Sequence, residues 1–248
     1  VSDRAEVVGG RRASLEALRS GRVLEILVDE RVRETPSVRE LRSAAEASGI
    51  RVRRVSRAEL DRLAEDHHGV VARVATLREL GERDLASWAF DADALVVVLD
   101  GVSDPQNLGA AARSAEAAGA AMLVTRTRRA AAVTPAAVRA SAGALLHLPH
   151  ARVANISRAI GRLQEAGFSV VGLDERAGST VYDEPCPAGR VALVLGSEGG
   201  GLSRLAREAC DALVALPMYG RVSSLNVSAS LAAVLYAYVL PSRGAPQA

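Results

Sequence analysis

The chain has 248 residues, enough for one large domain or two modest ones with a buried core. Its net charge is only +2, and an aromatic content of 3% leaves few residues for the base-stacking platform of a single-strand binder. All 31 basic residues are arginine, which excludes a Schiff-base lysine and a P-loop lysine but suits bidentate phosphate contact.

Cys186 and Cys210 are far apart, and His67, His68, His147 and His150 have no zinc-site spacing. No metal site and no disulfide framework is expected, and the reducing cytoplasm is the expected compartment. The start of the chain carries Asp3, Arg4 and Glu6 and does not read as a signal peptide. No apolar run has the length of a membrane span, so no membrane association is expected.

In chain order, residues 11–20 predict a helix and 23–28 (VLEILV) a strand. Residues 36–49 predict a second helix, with Pro36 suited to its first turn and Gly49 to its stop. Residues 50–55 alternate as a strand, 57–65 form a short helix, and 67–74 (HHGVVARV) run through a glycine into another strand. This α/β unit ends near residue 75, and residues 76–93 read as a linker. From 94 the pattern changes. Residues 96–100 are a short apolar strand of the kind found in a parallel sheet covered on both faces. Helices at 107–118, 135–142, 153–166, 202–209 and 224–239 are interleaved with strands at 121–125, 144–148, 168–173, 191–196 and 212–217. This alternation predicts a parallel α/β domain over residues 94–248. The tail from Pro241 reads as disordered.

Three stretches after strands of this second domain carry chemistry. The first is DGVSDPQNLGAAAR (100–113), in which Asn107 is a candidate helix N-cap, Gly109 permits close backbone approach, and Arg113 lies within two turns of an anion-binding helix end. Taken alone it reads equally well as a capped helix with an exposed arginine. The second is GSEGGG (196–201), a tight loop over which a ligand can lie. A plain glycine-rich turn looks the same, but Glu198 could order the loop or fix a substrate hydroxyl. The third is LPMYGRVSSLNVS (216–228), where Ser224, Asn226 and Ser228 crowd a helix start that needs only one cap.

Together these stretches match NxGxxxR, GxEGxG and LPMxGxVxSLNVS in order. They closely resemble the SpoU (TrmH-type) branch of the SPOUT RNA methyltransferases over residues 94–240, and most of all the bacterial 23S rRNA guanosine-2′-O-methyltransferase subgroup. Residues 1–75 resemble that family's L30e-like substrate-binding domain, with HHGVVARV in place of its usual HQG segment. The resemblance implies a C-terminal domain tied in a deep trefoil knot, an exception to the general rule against knots. It also implies a homodimer, and S-adenosylmethionine held by Gly196, Leu216, Met218 and Leu225. The RNA partner it implies is 23S rRNA or an assembling large ribosomal subunit.

Carried over residue by residue, Arg113 matches the arginine proposed to activate the ribose hydroxyl. Asn107 and Glu198 match the residues that support it, and Ser224 and Asn226 the polar pair beside cofactor and ribose. An arginine is too weak an acid to serve readily as a general base, so Arg113 is expected to position the 2′-hydroxyl or a neighbouring phosphate. Target choice is expected in the N-terminal domain, where Arg51, Arg53, Arg54 and Arg57 could track phosphates or could be solvated edge charges. The rival readings are the same reaction on tRNA or on an rRNA adenosine, as in antibiotic resistance, and a non-catalytic ribosome-assembly factor. A Rossmann oxidoreductase would need a GxGxxG after its first strand, and DPQNLG is not one.

Overall fold

A computed structural model describes residues 5–19, 21–75, 80–183, 185–222 and 224–243. The chain forms two compact units. One comprises Val1–Arg78 and Val133–His147, the other Glu79–Ala132 and Leu148–Ala248.

The first unit is a four-stranded sheet in the order β1 (Ala5–Gly9), β4 (Val70–Ala75), β2 (Val23–Asp29), β3 (Arg51–Val55). β4 is antiparallel to both neighbours, and β2 and β3 are parallel. Three helices accompany the sheet: α1 (Arg11–Arg19), α2 (Pro36–Ala47) and α3 (Arg57–Leu63). Thr35 caps α2 with Pro36 in the first turn, and Ser56 caps α3, so both starts follow from local chemistry. Leu27, Val55, Leu60, Ala64 and Val71 form one of the buried clusters between sheet and helices.

The sequence reading places residues 133–147 with the second half of the chain, but in the structure their contacts fall in the first unit. α6 (Pro135–Ala140) packs on β1, and Gly143 comes so close to Glu16 that a Cβ there would lie 2.6 Å from the Glu16 Cβ. The strand expected at 144–148 is instead a 3-10 turn, Ala144–Leu146, started by Gly143 in a left-handed conformation. Its three apolar residues are buried without pairing in a sheet.

The second unit holds a six-stranded, wholly parallel sheet in the order β10, β8, β9, β5, β6, β7. The strands are β5 (Leu95–Asp100), β6 (Met122–Arg126), β7 (His150–Val153), β8 (Ser169–Leu173), β9 (Val191–Gly196) and β10 (Ala212–Val214). Every residue of β5 is buried, as expected for a central strand covered on both faces. The helices are α4 (Glu82–Ser87), α5 (Pro105–Ala117), α7 (Ile156–Glu165), α8 (Arg204–Ala209) and α9 (Val227–Val234). α4 lies within the stretch expected to be a linker. Its Leu85 joins Val96, Val124, Ile160 and Phe168 in the core.

Strand order reverses direction at the β5–β9 pair: the chain runs outward from β5 to β6 and β7, then returns to the other side. In open parallel sheets the crevice at the carboxyl ends of such strands is where ligands bind. Asp100 and Gly196, the last residues of β5 and β9, are register partners there. The first two chemical stretches therefore leave the sheet side by side.

Candidate functional site

The glycine loop after β9 folds back on itself. The Ser197 N–H donates to the Gly201 carbonyl (3.2 Å) and the Gly201 N–H to the Ser197 carbonyl (2.9 Å). Gly199 and Gly201 have φ of 73° and 60°, the left-handed region that glycine enters without strain. Gly196 is fixed for another reason. A Cβ there would sit 1.9 Å from the Gly201 carbonyl carbon and 2.3 Å from the Leu202 nitrogen, so only glycine lets the loop close.

The far end of the loop is tied to β5. Asp100, 3% exposed, accepts the Ser203 N–H through Oδ2 (2.9 Å), and its Oδ1 lies 2.8 Å from Arg126 Nε. A buried carboxylate with a hydrogen bond and a cationic partner is stable where a lone one is not.

α5 does not start where the sequence suggests. Asp104 is its N-cap, accepting the Gln106 N–H at 2.9 Å, and Pro105 opens the first turn. Asn107 is thus released from capping, and its side chain faces the loop. Asn107 Nδ2 donates to Glu198 Oε1 (2.8 Å), and Asn226 Nδ2 reaches both Asn107 Oδ1 (2.9 Å) and Glu198 Oε1 (2.6 Å). Asn226 is also the N-cap of α9: its Oδ1 accepts from the Ser228 N–H (2.9 Å) and hydroxyl (2.6 Å). The three stretches, distant in sequence, meet in one closed triangle of hydrogen bonds.

Beside the triangle is a pocket whose lining includes Gly196, Leu216, Met218, Leu225, Glu198 and Ser224. It has apolar side chains on one wall and loop backbone on another, which suits a flat heterocycle joined to a polar tail. Asn107 and Asn226 do not line it and act on it through Glu198. Arg113 joins neither triangle nor lining. Six residues beyond Asn107, it leaves α5 about 120° around the axis, is exposed, and has no side-chain partner among the described residues.

One part of the lining carries no mark in the sequence reading: Asp174, Glu175 and Arg176, just after β8. Asp174 is buried, accepts the Arg176 N–H at 2.9 Å and pairs with Arg207. The available signal was its position at the carboxyl end of a parallel strand, without any cluster of glycine or polar residues. Cys210 lies below this region. Burial first, then Asp211, Asp100 and Asp174, pushes its thiol up to about 12, so it is a protonated packing group and not a nucleophile. Among the described residues no group of three His, Cys, Asp or Glu side chains gathers to hold a metal, and no helix is long and apolar enough to cross a membrane.

Comparison with known proteins agrees with this geometry. Residues 94–236 match the SpoU rRNA Methylase family, and residues 7–80 match the family described as RNA 2′-O ribose methyltransferase substrate binding. A Mycolicibacterium vanbaalenii protein named an uncharacterized tRNA/rRNA methyltransferase is 42% identical over 245 residues, covering 94% of this chain and 76% of its own length. A Mycobacterium ulcerans protein of the same name is 40% identical over 244 residues, with the same coverage. Among solved structures, the SpoU methyltransferase AviRb from Streptomyces viridochromogenes, in complex with AdoMet, superposes with a TM-score of 0.79 at 30% identity. That match covers 98% of this chain and 92% of AviRb. A structure described as an RNA 2′-O ribose methyltransferase gives a TM-score of 0.77 at 29% identity, over 97% and 90% of the two chains.

Proposed function

Because the chain belongs to the SpoU rRNA methylase family, we propose that the pocket beside the glycine loop holds S-adenosylmethionine and that the target is a guanosine 2′-hydroxyl of 23S rRNA. The broader activity follows from membership: the chain is an S-adenosylmethionine-dependent RNA 2′-O-ribose methyltransferase with RNA as its substrate. One observation carries the site assignment. Asn107, Glu198 and Asn226, from three separate stretches, are hydrogen-bonded together at the rim of a pocket lined by Gly196, Leu216, Met218 and Leu225.

The residues present fit the cofactor. Leu216, Met218 and Leu225 offer an apolar surface for its adenine, and the loop from Gly196 brings backbone close enough to hydrogen-bond its polar parts. When bound, S-adenosylmethionine supplies an activated methyl group on a sulfonium, so the protein need form no covalent bond itself. The residues' task is alignment and charge placement. Glu198, fixed by two asparagine amides through Oε1, keeps a carboxylate at the pocket mouth, where it holds the ribose or loop backbone. Ser224 lines the same mouth and offers a hydroxyl to the target ribose. Asn107 and Asn226 position Glu198. Arg113, exposed and without a side-chain partner among the described residues, is assigned to the RNA side, where its guanidinium holds the 2′-oxygen or an adjacent phosphate.

In the same reading the first unit serves as the substrate-binding domain and the second as the methyltransferase domain, with its C-terminal segment threaded as a trefoil knot. Exposed Tyr219, Val222, Leu225 and Tyr236 support a homodimer through the second unit. RNA as substrate, from an assembling large subunit, puts the enzyme in the cytoplasm.

Incubation with radiolabelled S-adenosylmethionine and unmodified 23S rRNA, 16S rRNA or bulk tRNA tests the target. Mapping by nuclease digestion and mass spectrometry is expected to find one 2′-O-methylguanosine in 23S rRNA. Label in tRNA, or on an adenosine, would move the target and keep the reaction.

A further inference from the structure

Several arginines of the first unit are already engaged by carboxylates. Arg53 bonds Glu25 (3.2 Å) and Glu59 (2.8 Å), Arg73 lies 3.9 Å from Glu25, Arg42 pairs with Glu34, and Arg19 pairs with Glu16 and Glu40. The Glu59 hydrogen bond, with help from Glu25, raises the Arg53 pKa above its ordinary value. An arginine in that position must give up carboxylates to take a phosphate.

Other arginines of this unit have no carboxylate partner among the described residues, and three of them share one cleft. Arg11, Arg31 and Arg57 line it together with His68, at the end of the sheet where β1, β2 and β3 finish and β4 begins. None has a carboxylate partner among the described residues, and Arg11 Nε is buried with no hydrogen bond. Two acids also line the cleft. The Asp29 carboxylate is buried and takes the Arg31 N–H at 2.9 Å, so Glu30 is the only exposed acid against three guanidiniums.

The cleft is built rigidly. Gly10 N–H bonds the Val70 carbonyl, Asp29 N–H the Gly69 carbonyl and Glu30 N–H the Val55 carbonyl, all at 2.9–3.0 Å. Buried His67 uses both ring nitrogens: Nδ1 accepts the Gly69 N–H (2.9 Å), which leaves Nε2 to donate to Asp61 Oδ1 (2.8 Å). That turn holds His68 at φ 48°, a left-handed conformation uncommon for a residue with a Cβ. His68 is exposed, lines the cleft beside the three arginines and has no side-chain partner among the described residues, so strain retained there points to a ligand.

We propose that Arg11, Arg31, Arg57 and His68 form a phosphodiester-binding cleft for the substrate RNA, with Arg31 and Arg57 each neutralising a backbone phosphate and His68 contacting the sugar–phosphate or base between them. The inference rests on RNA being the substrate. It goes beyond that reading by assigning the contact to four residues and by excluding Arg53.

Filter binding of unmodified 23S rRNA transcript and of bulk tRNA, from 50 to 300 mM KCl, tests it. Each lost phosphate contact lowers the slope of log K against log salt by about 0.7–0.9. Arg31→Ala/Arg57→Ala should therefore lower the slope by roughly 1.4–1.8. The KM for RNA should rise at least tenfold, with kcat at saturating RNA and the S-adenosylmethionine Kd unchanged. Arg53→Ala should leave the slope as in wild type. His68→Gly relieves the backbone strain, so it should melt no lower than wild type yet bind RNA several-fold more weakly, and His68→Gln should recover binding. If wild type binds and methylates RNA while Arg31→Ala/Arg57→Ala keeps the wild-type slope and KM, the cleft assignment is wrong and the methyltransferase reading stands. If wild type neither binds nor methylates RNA, both fall.

Discussion

In the second unit, Asn107, Glu198 and Asn226 satisfy one another before any ligand arrives. In the first, Arg11, Arg31 and Arg57 share one cleft and have no carboxylate partner among the described residues, while Arg53, Arg42 and Arg19 are paired. A network satisfied in advance is preorganised and loses little order when a small, fixed ligand enters. Unpaired guanidiniums on a stiff frame suit a polyanion whose exact path varies, because each contact is made separately and released with salt. The pocket proposed for the cofactor suits a ligand that is always the same, and the proposed cleft suits an RNA surface. Arg113 sits in the second unit but resembles the cleft arginines in having no side-chain partner among the described residues.

Four substitutions press on that contrast. Gly196→Ala should have the largest effect, because its Cβ would meet the Gly201 backbone at 1.9 Å. Calorimetry is expected to show the S-adenosylmethionine Kd raised at least ~100-fold, equivalent to about 2.7 kcal/mol. Near-normal affinity would mean that the loop is not the cofactor cradle. Arg113→Ala should reduce methyl transfer by about 100- to 1,000-fold with the cofactor Kd within ~2-fold of wild type. Retained turnover would remove Arg113 from the reaction.

Asn226→Ala breaks two bonds of the triangle and the α9 cap together. Turnover should fall by roughly 10- to 100-fold, and loss of a cap worth about 1 kcal/mol should lower Tm by about 2–4 °C. If Tm falls and turnover does not, the triangle is only a cap. Asp100→Ala leaves the Ser203 N–H and the Arg126 guanidinium without their carboxylate. A ~10-fold rise in cofactor Kd is expected from about 1–3 kcal/mol of lost satisfaction, read by the same titration. An unchanged Kd would show that Ser197 and Gly201 hold the loop unaided.

The sequence made the site more legible than the fold around it. Glu198 among four glycines and the crowd of polar residues at 224–228 are costly patterns with few structural uses, and the structure joins them to Asn107. The capping role expected of Asn107 went to Asp104, because an Asp–Pro pair starts a helix three residues earlier. Elements were lost where the pattern was short. β1 has five residues and follows a charged stretch, and β7 (HARV) mixes polar with apolar residues at the position where a helix was expected to begin. The apolar run at 144–148 has the composition of a strand, but Gly143, in a left-handed conformation, starts a 3-10 turn there. Asp174 and Arg207 are 33 residues apart and escape any local reading. Residues 244–248 of the expected disordered tail lie outside the described residues.

The triangle has a consequence in time as well as in space. Its bonds span 91 and 119 residues, and the last member, Asn226, also starts the helix that packs on α5. The loop-closure cost of such distant contacts must be met before they stabilise anything. A nascent chain can assemble β5, β6 and β7 as they emerge, but it has no complete pocket until Ser230 is free to fold. The pocket is thus finished only after all six strands of its sheet are built, because residues 216–230 complete its lining.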